Sequence, residues 1–250
     1  MMSDLAPRRA RQVARVMRDD AAEWRIPKGA IPWLLGLPLV AVVLLALAVP
    51  HPNLYHFLID EDHVVEWTQF FAILAASVVF ALAGRESFRI GRRPLGILFA
   101  IVALGAFAVA GEEISWGQRL LGLATPDALK NINHQGETNI HNISGLQSVF
   151  NLGELLVGLD GLAVPILWAI PQIRARIARV DRLLVPPLCL ATLFLLPVAY
   201  RAYRAIVLPE AGERITEFGE LPELTLYLAI LITGFVIWRA LRRTVRTEAA

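Results

Sequence analysis

The chain has 250 residues, 56% of them hydrophobic and 18% charged, with a formal net charge of +2 and a mean hydropathy of +0.54. That composition excludes intrinsic disorder and is too apolar for an ordinary water-soluble domain. A lone cysteine, Cys189, excludes an intrachain disulfide and any cysteine-rich metal centre.

Residues 1–30 are basic, with Val13, Val16, Met17 and Trp24 roughly along one stripe among arginines. The pattern suits a helix lying on an anionic cytoplasmic leaflet, and equally a basic tail that only sets topology. Six apolar stretches follow, at residues 31–49, 66–84, 94–111, 146–170, 183–200 and 223–240. Crossing about 30 Å of hydrocarbon takes about 20 such residues, so each reads as a membrane span. The fourth has to accept Glu154 and Asp160. The first is longer than a signal-peptide apolar core and reads as a retained helix. The expected fold is an all-α, polytopic membrane protein of six transmembrane helices. Its parts are a basic cytoplasmic segment (1–30), a membrane domain (31–242) and a cytoplasmic tail (243–250).

Basic loops stay in the cytoplasm. Residues 1–30, the second and fourth connections and the C-terminal tail hold nineteen lysines and arginines, whereas the other three connections hold five. Both termini are therefore expected inside. All five histidines then fall on the outer face, with fifteen of the 22 acids on or near it. Glu66, Glu112, Glu154, Asp160 and Glu223 lie within the spans, where a carboxylate costs about 2.5–3.5 kcal/mol at the bilayer centre and less near the surface. Some of them are expected to share a polar site.

The densest chemistry leaves the third span: Gly111-Glu112-Glu113-Ile114-Ser115-Trp116-Gly117-Gln118-Arg119. If the helix continues, Glu112, Trp116 and Arg119 share one face and Glu113 a neighbouring one. Thr125-Pro126-Asp127 then predicts a capped short helix through about residue 131. The connection is thus a polar, helix-containing loop on the outer face. It ends in Asn131-Ile132-Asn133-His134-Gln135-Gly136-Glu137-Thr138-Asn139-Ile140-His141-Asn142. Glu137 and His141 have the spacing at which two ligands on one helix face meet a metal. The residues read for catalysis are Glu112, Glu113, Glu137 and His141, with Glu113, Glu137 and His141 as the ligand set if a divalent cation is the cofactor. Arg119, Trp116, Gln118, Asn139 and Glu66 are read for substrate contact. The other reading is a hydrogen-bonded polar plug that orders the loop.

These two blocks, Gly111 to Arg119 and Gln135 to Asn142, with the acidic stretch Glu61 to Glu66, resemble a group of six-span bacterial membrane proteins. The resemblance implies a bacterial inner-membrane setting and carries no reaction. A shorter internal echo pairs Glu66-Trp67-Thr68-Gln69 and the residues after it with Glu223-Leu224-Thr225-Leu226, each opening an inward-running helix. Convergence explains it better than duplication, because a three-plus-three repeat would pair the second span with the fifth.

Three classes of function follow. An outward-facing enzyme, a hydrolase or transferase, would use the Glu/His site on a lipid or lipid-linked substrate. A structural or assembly subunit would use the loop for docking. A transporter needs polar groups through the whole depth, and the inner halves of the spans carry essentially no ionisable residue. Membrane lipids are the expected partners. No phosphate loop or basic patch with interleaved aromatics supports nucleic-acid binding.

Overall fold

The computed structural model describes residues 5–60, 63–130, 132–133, 138–140, 143, 146–206 and 218–248. The helices are α1 (Leu5–Glu23), α2 (Ala30–Ala48), α3 (Pro52–Ile59), α4 (Val64–Arg89), α5 (Arg93–Glu113), α6 (Gln118–Leu121), α7 (Asp127–Lys130), α8 (Gln147–Trp168), α9 (Pro171–Arg176), α10 (Ala191–Ile206) and α11 (Glu220–Glu248). Six helical stretches are long and apolar enough to cross a membrane: α2, α3 with α4, α5, α8, α10 with the turns ahead of it, and α11. The protein is an all-α polytopic membrane protein, as the hydropathy predicts.

In lipid, helices gain little from hydrophobic burial against one another, so close backbone approach and interhelical hydrogen bonds decide which pairs form. Ala72, Ala76 and Ala83 of α4 and Ala103, Ala106 and Ala110 of α5 are all buried in the apolar core of the bundle. Between these two helices Ser77 Oγ donates to the Ala103 carbonyl at 2.8 Å. Phe80 of α4, whose ring also meets Phe99 of α5, covers Gly234 of α11 so closely that a Cβ there would lie 2.8 Å from the ring. Gln69 of α4 meets Glu220 of α11 at the opposite end, so these helices run in parallel. The two segments of the internal echo are therefore side by side. α8 packs on α10 by the same logic, its Gly158 and Gly161 lying under Val198 and Phe194. Its opposite side, with Leu152, Leu156 and Val157, is exposed, as a lipid-facing surface would be.

The fifth span departs from the expected single helix over 183–200. Pro186 and Pro187 interrupt it, and 3₁₀ turns at Arg182–Leu184 and Leu188–Leu190 precede α10. Proline has no N–H to continue a helix. Val185, Leu188, Cys189 and Leu190 are nonetheless buried, and irregular backbone at such a place needs its polar groups bonded by protein. Asp20 of α1 supplies one acceptor, taking a hydrogen bond from Leu188 N at 2.8 Å. Arg182 Nη1 donates to the Val185 carbonyl at 2.7 Å.

This arrangement docks the C-terminal end of α1 on protein. Arg182 donates to Asp20 (2.6 Å) and Glu23 (2.9 Å) and lies 4.6 Å from the centre of the Trp24 ring. Burial pushes the Asp20 carboxyl up from its ordinary value, against the opposing pull of Arg182. The stripe expected along α1 is corrected at one end: Ala21 and Trp24 are buried and Met17 packs beside them, whereas Val13 is 59% exposed.

Candidate functional site

The acids at one end of the bundle, where α5 ends and α8 and α11 begin, form the candidate site. α5 stops at Glu113 because Ser115 (φ 46°), Trp116 (φ 54°) and Gly117 (φ 78°) take left-handed backbone. For the two non-glycine residues that costs about 1–2 kcal/mol each, so the surroundings have to hold the turn. The Trp116 ring lies across Gly111, where a Cβ would approach it to 2.8 Å, and its Nε1 donates to Glu112 Oε1 at 2.7 Å. Asn139 Nδ2 donates to the buried Ser115 hydroxyl at 3.1 Å. The continuous helical face expected for Glu112, Trp116 and Arg119 is thereby corrected to a left-handed turn, which still brings Trp116 back onto Glu112.

Glu112 and Glu113 face different surroundings. The second oxygen of Glu112 accepts from Ile140 N at 2.5 Å, tying α5 to the polar loop. In that loop Asn133 Nδ2 donates to the Asn139 carbonyl (2.8 Å) and side-chain oxygen (2.7 Å). Gln118 Nε2 donates to the Thr125 hydroxyl at 2.5 Å, and Gln118 Oε1 accepts from Thr138 N at 2.6 Å and from the Thr138 hydroxyl. Gln118 and Asn139 are thus buried and engaged within the loop, while Trp116 is 49% exposed beside it. Glu113 turns instead to the helix bundle, where the Tyr227 hydroxyl of α11 donates to it at 2.7 Å.

Beside that pair stands an ionic bridge across three helices. Arg201 of α10 donates through Nε to Glu154 of α8 at 2.8 Å and through Nη2 to both Glu154 and Glu223 of α11, the latter at 2.7 Å. All three side chains are largely buried, at 14%, 18% and 21% exposure. Glu113, Glu154 and Glu220 all act electrostatically on Glu223, so the bridge and the Glu113–Tyr227 pair form one cluster. Gln69 Nε2 closes it towards α4 by donating to the Glu220 carbonyl (2.8 Å) and carboxylate (3.1 Å). Its Oε1 is buried with no donor among the described residues. Glu66 is half-buried one turn earlier on α4.

Sequence reasoning placed Glu154 and Glu223 among acids seeking a shared site, and they do share one. It missed Arg201 and Tyr227. The available signal was an arginine closing an apolar run on the outer side, against the charge rule that set the topology. Asp160, the deepest acid, lies apart on the exposed side of α8. Glu137, His141 and the side chain of Arg119 lie outside the described residues. Among the described residues no three histidine, cysteine or acidic side chains gather as a metal site.

A cavity of about 450 Å³ adjoins the cluster, lined by Tyr55, His56, Leu196, Tyr200, Tyr203 and Phe218 among others. Tyr200 is the shared wall, since its ring centre lies 5.6 Å from the Arg201 guanidinium. At the rim His56 Nδ1 lies 3.0 Å from Asp60 Oδ1. No protein-family model, curated protein or solved structure matches the chain.

Proposed function

We propose that the chain is an outward-facing membrane enzyme of the bacterial cytoplasmic membrane, a hydrolase or transferase acting on a lipid or lipid-linked substrate. The observation that carries this reading is the shared wall at Tyr200: an apolar cavity on one side, a buried cluster of acids, a guanidinium and a phenol on the other. About 450 Å³ falls within the volumes typical of small-molecule pockets. The apolar part of a lipid fits the cavity, and the bond to be cleaved or transferred would lie towards Glu113 and Tyr227. Glu113 then serves as general base, Tyr227 as the proton donor that orients it, and Arg201 balances the acids around them. The catalytic roles read from the sequence for Glu137 and His141 are part of this proposal. A divalent cation held with Glu113 would supply a bound water, and Arg119 and Trp116 would meet the headgroup.

The test is a product screen. Full-length protein in nanodiscs is offered outer-leaflet phospholipids and lipid-linked glycans, and products are read by mass spectrometry. A product that disappears in Glu113→Gln and Tyr227→Phe, while both variants stay folded at the assay temperature, supports the enzyme. Loss of product only in variants that also unfold overturns it.

The second reading, a structural or assembly subunit, draws on Asp160. A carboxylate on the exposed side of a peripheral span is costly against lipid and suits a contact with another membrane helix. Transport, the third reading, has no comparable observation in its favour.

A further inference from the structure

At the end of the bundle opposite the acid cluster stand three arginines that pair with no acid among the described residues. Arg239 of α11 reaches across to the turn after α1, donating through Nη2 to the carbonyls of Trp24 (3.0 Å) and Arg25 (2.6 Å). Arg243 is four residues, about one helical turn, further along α11, on the face that carries Arg239. Elsewhere at this end of the bundle Arg182 pairs with Asp20 and Glu23, Arg174 with Glu23, Arg92 with Asp181 and Arg89 with Glu86. Among the described residues no carboxylate pairs with Arg25, Arg239 or Arg243. The Arg239 Nε is buried with no acceptor among the described residues.

The backbone adds an independent sign. α1 ends in the two hydrogen bonds of a Schellman turn, Ile26 N to the Ala21 carbonyl and Arg25 N to the Ala22 carbonyl. The left-handed position of that turn ordinarily takes glycine. Here Arg25 occupies it, at φ 53°. An arginine there accepts backbone strain that a glycine would avoid, at the residue whose carbonyl Arg239 holds.

Three guanidiniums held together repel, and what relieves them is an anion with several acceptor oxygens, to which each fork can offer paired donors. Trp238 and Arg239 mark the end of the apolar run of α11, which puts the cluster at headgroup depth in the leaflet that carries anionic lipid. We infer that Arg25, Arg239 and Arg243 form a binding site for the phosphate of an anionic phospholipid of the cytoplasmic leaflet. The bound lipid joins the end of α1 to the last span.

Thermal unfolding of the full chain in nanodiscs tests this. Replacing phosphatidylcholine by phosphatidylglycerol is expected to raise the melting temperature, with the rise shrinking in high salt. The double variant Arg25→Gln/Arg243→Gln should lose most of it. Arg11→Gln/Arg15→Gln, on the exposed part of α1, should keep it, which separates a built site from diffuse surface charge. Native mass spectrometry of retained phosphatidylglycerol supplies a second readout for any variant of altered stability. The site is overturned if the two lipids stabilise alike, or if the Arg25/Arg243 variant retains both the rise and the bound lipid. Inorganic phosphate reproducing the rise in phosphatidylcholine would overturn the lipid as its ligand.

Discussion

Tyr227 of α11 donates its phenolic hydrogen to Glu113 at the end of α5, 2.7 Å away. The pair joins two helices just ahead of the left-handed turn at Ser115, Trp116 and Gly117. Interhelical hydrogen bonds in membranes average about 0.6 kcal/mol and those to ionised groups about 1.5–3 kcal/mol, so Tyr227→Phe is expected to cost about 1–2 kcal/mol. Thermal unfolding in detergent measures this. A cost above that range would mean that the phenol holds the fold together and is unavailable for chemistry.

Arg201 is a stronger dependency. Its loss leaves Glu154 and Glu223 buried without their cation, and breaking a buried pair on one side costs about 3–5 kcal/mol. Arg201→Met should therefore unfold readily. The triple variant Arg201→Met/Glu154→Gln/Glu223→Gln should recover most of the lost stability, because no uncompensated charge remains. If the triple variant is no better than the single one, the bridge holds the helices by shape more than by charge.

Orientation is checked by single-cysteine labelling in a Cys189→Ala background. Cysteines placed near His56 and Asp127 should react with an impermeant reagent from outside, and one near Arg92 should not. Outside labelling near Arg92 would reverse the assignment, and with it the side on which the acid cluster faces.

The docking of α1 carries a pH signature. Because burial raises the Asp20 carboxyl, the folded protein holds that proton to higher pH than the unfolded chain does. The stability from this group is full below the ordinary carboxyl value and declines as pH rises through the raised one. Arg182, Arg174 and Glu23 are the charges that act on it. Asp20→Asn, which cannot ionise, should flatten that part of the melting-temperature profile. An unchanged slope would place its origin in another group.

The six spans were legible because crossing a membrane is set by hydropathy over about 20 residues, a local property of the chain. So was the crowding of acids and histidines towards one face, which follows from counting charges between spans. The proline pair also signals a broken helix at 186–187, yet nothing local to it names Asp20, 168 residues distant, as the acceptor for Leu188 N. The grouping of the cluster belonged to the tertiary structure alone. Glu113 meets Tyr227, and Arg201 meets Glu154 and Glu223, because glycines and alanines let α4, α5 and α11, and α8 and α10, approach closely. Periodicity within one helix says which residues share a face. Which faces then meet depends on packing between helices, and in lipid that is decided by shape and by the few polar groups that have to find one another.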